Sequence, residues 1–107
     1  MDILFNATAP AVTAPSTAVA SSALALPAGG GNSIRVTNEG PNILFLALGD
    51  SSVAATLPTT GAGTRTSTPI PVGISILRRD PKDTHFSVIN RAAGTSVATI
   101  QIGEGGL

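Results

Sequence analysis

The sequence predicts a small all-β protein: an antiparallel β-sandwich, jelly-roll-like, with seven to eight short strands. Short runs in which apolar residues alternate with polar or small ones recur along the chain, as in strands that bury one face. Turn-forming clusters of Gly, Pro, Asn and Asp separate these runs at nearly regular intervals. A length of 107 residues suits a single domain with one modest core.

The composition argues against several classes of function. Six basic and six acidic side chains balance, so no net charge draws the chain toward nucleic acid or an anionic membrane. Cysteine is absent, which excludes disulfides and thiolate chemistry. No apolar run approaches the length of about 20 residues that a membrane span needs, and Asp2, Pro10 and Pro15 do not fit a secretory signal peptide. We predict neither nucleic acid nor a membrane as a partner.

The low content of charged residues also indicates which residue types form the surface. Charged residues make up only 11% of the chain, against about 25% in ordinary domains. The surface must therefore consist largely of Ser, Thr, Ala, Gly and Asn. Such a surface loses its water at little cost, which suits packing against other proteins. The same composition is equally typical of a small threonine-rich β protein with no special surface role.

The N-terminal part is predicted to be extended. Residues 2–6 form a short apolar strand candidate, and the prolines that follow disfavour helix. We therefore expect residues 1–16 to form an N-terminal arm or extended segment and residues 17–107 to form the sandwich. Residues 17–26 are predicted as a strand because leucines alternate there with small residues, although the alanines also permit a helix.

A central hairpin is predicted around the most hydrophobic segment of the chain. Residues 33–37 alternate cleanly between apolar and polar side chains, and residues 42–49 are almost entirely apolar. Between them, Gly40 permits a positive φ and Pro41 cannot continue a ladder. We therefore expect a turn at residues 38–42 and pairing of the two strands.

The strand at residues 42–49 is apolar on both faces. One face carries Ile43, Phe45 and Ala47, and the other carries Leu44, Leu46 and Leu48. A strand of this kind is buried on both faces. In a two-layer sandwich one face would otherwise meet water, so the N-terminal segment, a long loop or another subunit must cover it. We take Leu44, Leu46 and Leu48 as the surplus face and a candidate protein interface; burial under the N-terminal segment is the alternative.

The second half contains the remaining predicted strands. They lie at residues 53–57, 72–79, 84–90 and 97–102. The Thr-, Gly- and Pro-rich residues 58–71 are predicted as a long loop. The two middle strands are expected to pair as a second hairpin, with Val72, Ile74 and Ile76 lining the same face as Phe86 and Val88.

A charge cluster marks the tip of this second hairpin. Five of the twelve charged residues lie at positions 78–83. The cluster fits a solvated tip that protects a sheet edge. It also fits a docking patch in which Arg78 and Arg79 pair with carboxylates of a partner, so both are candidate interface residues. A metal site at Asp80, Asp83 and His85 is disfavoured because no second carboxylate-rich stretch completes it.

No pattern in the chain indicates catalysis or a cofactor. His85 is the only histidine, and no G-x-S-x-G elbow surrounds a serine. The glycine runs lack the GKS or GKT of a phosphate loop. Three Phe without Trp or Tyr do not supply a sugar- or base-stacking platform. We predict no catalytic, cofactor or metal site; Phe45 and Phe86 belong to the core, whereas Phe5 is a candidate anchor on a neighbour.

On these residues the chain resembles small virion proteins that tailed bacteriophages encode beside the major capsid gene, the capsid decoration or cement proteins. The resemblance rests on IRVTNEGPNILFLALGDSSVAATLPT at residues 34–59 and on the ending IGEGGL at residues 102–107. The Thr- and Pro-rich loop and hairpin between them also fit, as does ILFNATAPA at residues 3–11. No site residue of the family can be transferred by position.

The resemblance implies a role and a location. Such proteins have jelly-roll or related β folds, assemble as dimers or trimers and brace capsid subunits from outside. It implies a structural virion protein that is made in the host cytoplasm and binds the outer surface of the capsid, with the major capsid protein and further copies of itself as partners. The alternatives are a tail or head–tail adaptor component, or a β-sandwich module that binds a ligand or glycan.

Overall fold

The structure is a computed structural model that describes residues 4–57 and 67–106. Its nine strands are β1 (Asn6–Ala7), β2 (Val12–Ser16), β3 (Leu24–Ala25), β4 (Ser33–Pro41), β5 (Leu44–Gly49), β6 (Thr68–Ile70), β7 (Gly73–Arg78), β8 (His85–Asn90) and β9 (Ser96–Glu104). The described residues contain no helix. All strand pairs are antiparallel, and the predicted all-β sandwich is confirmed.

The strands form two sheets with jelly-roll connectivity. Sheet A has the order β1-β9-β4-β7, with β2 also pairing with β9, and sheet B has the order β3-β8-β5-β6. The pairs are nested along the chain: β5 with β6, β4 with β7, β3 with β8, and β2 with β9. Successive pairs alternate between the sheets, as in one long antiparallel hairpin rolled into two layers. The jelly-roll prediction is confirmed.

Both predicted hairpins are wrong. β4 and β5 lie in different sheets, and so do β7 and β8. The turn chemistry does reverse the chain, as where the Asp83 amide donates to the Asp80 carbonyl oxygen at 2.9 Å. However, each reversal carries the chain across the core instead of back along the same sheet. Local sequence specifies a reversal, whereas the burial of long-range neighbours decides which strand each segment pairs with.

Several strand boundaries also differ from the prediction. Residues 53–57 are not a strand, and the strand predicted at residues 17–26 shrinks to β3. Three residues of the predicted loop form β6, while residues 58–66 of that loop lie outside the described residues. β4 continues to Pro41 through a register shift after Asn38, where Gly40 has a φ of 83°. Glycine adopts this angle without strain, so the predicted turn becomes an irregular strand end.

The N-terminal segment belongs to the sandwich. β2 pairs with β9 over its whole length, from Val12 opposite Ile100 to Ser16 opposite Ser96. Ala14 is fully buried in the core. The predicted division after residue 16 therefore does not coincide with the sheet, because β1 and β2 form one edge of sheet A. The prolines prevent this segment from forming a helix, but they are compatible with pairing at the edge of a sheet.

The core lies between the two sheets. Sheet A contributes Ala14, Ile34, Val36, Ala98, Ile100 and Ile102; sheet B contributes Leu44, Leu46, Phe86 and Val88, with Ile70 from β6. All of them are at most 2% exposed. These positions alternate along each strand with outward side chains, which is the pattern that predicted the fold.

The connection from β4 to β5 is organised by a buried asparagine. Asn38 Nδ2 donates to the carbonyl oxygens of Asn42 and Ile70, both at 2.9 Å, and its Oδ1 accepts from the Gly40 amide at 2.8 Å. One side chain thus supplies partners to the irregular end of β4, to the connection and to β6. Irregular backbone at the end of a sandwich needs such partners because it has no ladder.

Gly103 allows the N-terminal segment to lie against β9. A Cβ atom at this position would overlap the Asn6 carbonyl oxygen and lie 2.7 Å from Phe5 Cζ. Gly103→Val is therefore expected to detach β1 while the rest of the jelly roll stays folded, at a cost of about 1–3 kcal/mol. Hydrogen exchange tests this at the Thr8 amide, which donates to the Ile102 carbonyl oxygen at 2.9 Å and should lose protection.

Thr99→Val is the matched control for this prediction. It adds almost no bulk, because valine and threonine are similar in size, and Thr99 pairs with Thr13 and Thr37 instead of with β1. Thr8 protection should be unchanged in this variant. Equal protection of Thr8 in Gly103→Val and in the unmodified protein would show that the glycine is not required.

Candidate interaction surface

The face predicted as surplus lies in the core. Leu44 and Leu46 are 0% and 2% exposed and point toward sheet A, and Leu48 is half-buried against the same core. Leu44 and Leu46 were therefore wrong as candidate interface residues. The reason is that β5 is a central strand of sheet B, between β8 and β6, and its leucines form the inner face of the sandwich.

The opposite face of β5 is the additional apolar face, and the chain itself covers much of it. Phe45 is only 3% exposed, and the Arg91 guanidinium carbon lies 5.1 Å from its ring centroid. Ala55 is buried beside this face, where its amide donates to Ser87 Oγ at 2.9 Å. The predicted second apolar face is thus buried at Phe45 and half-buried at Ala47, whereas Ile43 is 40% exposed, and the segment after β5 provides part of the cover.

Two further predicted interface residues are engaged within the chain. Phe5 is half-buried, with the Arg35 guanidinium carbon 5.2 Å from its ring centroid. Arg79 Nη1 donates to the Gly29 carbonyl oxygen at 2.6 Å, which holds the glycine-rich loop against β7. Arg78, by contrast, is exposed at the end of β7 and stays a candidate.

The charged tip after β7 is organised by its own turn. Asp80 Oδ1 accepts from the Lys82 amide at 2.9 Å, and His85 Nδ1 is 2.8 Å from Thr84 Oγ1. Within residues 4–57 and 67–106, no three acidic or histidine side chains converge as metal ligands. A similar turn follows β5, where hydrogen bonds from the Ser52 hydroxyl and amide lower the pKa of Asp50 below its usual 3.8.

A polar groove of about 500 Å³ lies beside this tip. Its lining includes Leu46, Ser67 and Thr68 together with Arg78 and Asp83. No aromatic side chain lines it among the described residues. The groove therefore does not offer the stacking surface on which sugar recognition depends.

The outer face of sheet A carries a row of threonines. Thr13 on β2 lies opposite Thr99 on β9, and Thr99 lies opposite Thr37 on β4. The row ends at Ile74 on β7, which is opposite Thr37. We call the outward side chains Thr13, Thr37, Val97, Thr99 and Gln101 the threonine face.

Charged side chains on this outer face are few, and two of them are engaged within the face. Arg35 Nε donates to Gln101 Oε1 at 3.0 Å, and Thr99 Oγ1 donates to Glu39 Oε2 at 3.3 Å. Arg78 lies at the corner of the face, at the end of β7. The remaining surface offers hydroxyl and methyl groups, which lose water at less cost than charged groups do.

The edge strand β7 and the residue before it expose large apolar side chains. Val72 and Ile74 are 56% and 64% exposed. The prediction that Val72, Ile74 and Ile76 share an inner face with Phe86 and Val88 is wrong. The register places Leu77 opposite Ile34 and Ser75 opposite Val36, so the inward side chains of β7 are Ser75 and Leu77. The sequence GISIL offers two apolar faces, and only the pairing with β4 decides between them.

Comparisons with known proteins do not identify a relative. No protein family, curated protein or solved structure matches the chain. No helix among the described residues meets the length and hydropathy that crossing a membrane requires. The resemblance to phage decoration proteins therefore stays a prediction, to be weighed against the surface described above.

Proposed function

We propose that this chain is a structural virion protein, a capsid decoration or cement protein that binds the outer surface of a phage head through the threonine face. The observation that carries the proposal is the in-register row of Thr13, Thr99, Thr37 and Ile74 across four strands. It forms a regular, charge-poor surface on paired strands. The resemblance of residues 34–59 and 102–107 to decoration proteins supports the same role.

The size of the face explains why such a protein would prefer an assembled shell. The face spans three strand spacings of about 4.8 Å and about five residues of 3.4 Å each, which gives on the order of 250 Å². A stable one-to-one interface buries about 800 Å² per partner. One copy therefore binds one capsid subunit weakly. On an assembled shell, one copy or oligomer contacts several adjoining subunits at once. After the first contact forms, the effective concentration for the next contacts is high, so the overall attachment is strong.

Sedimentation with assembled heads tests this proposal. The purified chain should pellet with heads of the phage that encodes it and should stay in the supernatant with unassembled capsid subunits. Thr99→Lys should weaken head binding at least about tenfold, because a long charged side chain would replace a short one in the middle of the contact and would have to lose its water there.

Ser51→Lys is the matched control for head binding. It adds the same charge at an exposed turn after β5, away from sheet A, and should bind heads as the unmodified chain does. Circular dichroism should show that both variants keep the fold. The proposal is refuted if the unmodified chain does not pellet with heads, and the threonine face is refuted if Thr99→Lys binds as well as Ser51→Lys.

A further inference from the structure

We propose that β7 is a homodimer interface, at which the outer edge of β7 pairs antiparallel with β7 of a second copy about a two-fold axis. The two A sheets then form one continuous sheet. This inference is independent of the virion role, because it concerns only how the chain associates with itself. Edge strands that present unpaired backbone groups are templates for this kind of pairing.

Within residues 4–57 and 67–106, the backbone of β7 is open on one side. Among the described strands, β7 pairs only with β4. The Arg79 amide donates to the Asn32 carbonyl oxygen at 2.8 Å, which makes these opposed residues a hydrogen-bonded pair. Hydrogen-bonded pairs recur at every second residue of an antiparallel ladder, so Leu77, Ser75 and Gly73 bond to β4. The N–H and C=O groups of Ile74 and Ile76 therefore point to the outer edge.

The side chains of β7 complement a second copy of the same strand. In a two-fold register centred on Ser75, Ile74 faces Ile76 of the partner subunit, and Ile76 faces the partner's Ile74. Both residues direct their backbone groups outward, so the two pairs exchange four hydrogen bonds. The four isoleucines lie on one face, as favourable cross-strand pairs do. Arg78 faces the partner's Val72, so no like charges meet.

The usual protections against edge pairing are missing from the middle of β7. Residues 73–77 contain no lysine, proline or inward-pointing charge. Ile74 is instead 64% exposed. A second copy fits the centre of this edge because residues 74 and 76 are the same residue type, so Ile-Ser-Ile at residues 74–76 reads identically in both directions.

Pairing would also enlarge the threonine face. Two A sheets joined at β7 place β2, β9, β4 and β7 side by side with the same four strands of the partner. Seven strand spacings instead of three raise the outer face to about 600 Å². That approaches the roughly 800 Å² per partner of a stable contact, although the dimer itself does not depend on any such binding.

Sedimentation equilibrium of the full chain over a concentration series tests the dimer. The mass should rise from 10.6 kDa toward twice that value as concentration increases. Ile74→Lys should weaken dimerisation at least tenfold, because it places a charge in the isoleucine cluster. Val19→Lys adds the same charge at a position that is 76% exposed elsewhere, and should leave the equilibrium unchanged.

A cysteine variant tests the register without relying on destabilisation. Ser75 would face its own counterpart as a non-hydrogen-bonded pair, at the short Cα separation that a disulfide accepts. Because the chain has no cysteine, Ser75→Cys should form a single cross-linked dimer under mild oxidation, and Ser51→Cys at the same concentration should not.

The proposal is overturned if the chain is a monomer at all concentrations, if it is a trimer, or if Ile74→Lys dimerises as strongly as the unmodified chain. A monomer that binds heads refutes the dimer alone, and a dimer that binds no heads refutes the virion role alone.

Discussion

Replacing Asn38 with leucine is expected to lower the free energy of unfolding by about 3–5 kcal/mol, a large part of the stability of a small domain. Asn38 is 1% exposed, and its side chain makes three hydrogen bonds, to Gly40, Asn42 and Ile70. Leucine has a similar size but cannot replace these bonds. It would leave the Gly40 amide and the Ile70 carbonyl oxygen without the partner that Asn38 supplies, and each such buried group costs about 1–3 kcal/mol.

Urea unfolding followed by far-UV circular dichroism measures this loss, since the chain has neither Trp nor Tyr for fluorescence. Asn6→Leu is the matched control because Asn6 is exposed on β1. Its free energy of unfolding should stay within about 0.5 kcal/mol of the unmodified protein. A loss below about 1 kcal/mol for Asn38→Leu would mean that the connection from β4 to β5 does not depend on this side chain.

Replacing Phe86 with alanine is expected to cost about 3–5 kcal/mol. Phe86 is fully buried on β8, opposite Leu48 and Leu24, and is the bulkiest of the fully buried side chains. Its removal takes away transfer free energy and leaves a cavity that strands in a fixed ladder cannot close. In a domain of this size each kcal/mol lowers Tm by roughly 4–8 °C, so Tm should fall by more than about 12 °C.

Phe5→Ala provides the comparison for this second variant. Phe5 is only half-buried, against Gly103 and below Arg35, so its loss should cost clearly less and should act locally on β1. Phe86→Leu should recover most of the lost stability, because it refills most of the volume. The assigned core would be contradicted if Phe86→Ala melted at the same temperature as Phe5→Ala.

The sequence allowed the fold class to be predicted but not the pairing of strands. Alternation of apolar and polar residues is a local property, so β4, β8 and β9 were located near their true positions. The partner of a strand is a long-range property. β4 lies between β9 and β7 instead of beside β5, because the reversals after β4 and after β7 cross the core. Turn residues such as Gly40 are equally compatible with a hairpin within one sheet and with a connection between the two sheets.

The candidate surface could be predicted only in outline. Low charge indicated a contact-making surface, but the face was assigned incorrectly wherever both faces of a strand were apolar. The leucines of β5 are buried, whereas Ile74 on β7 is exposed. Thr13, Thr37 and Thr99 are far apart in the sequence, and only the register of three strands places them in one row. No local pattern carries that information.

A count of this chain in purified phage particles tests the central claim most directly. Quantitative mass spectrometry should compare its copy number with that of the major capsid protein. If the chain is a decoration protein, we expect many copies per head in a fixed ratio to the capsid subunits. These copies should be lost when the heads are treated to remove proteins bound to their outer surface. A few copies per particle would indicate a tail or head–tail adaptor component instead, and complete absence from the particle would contradict a structural role in the virion.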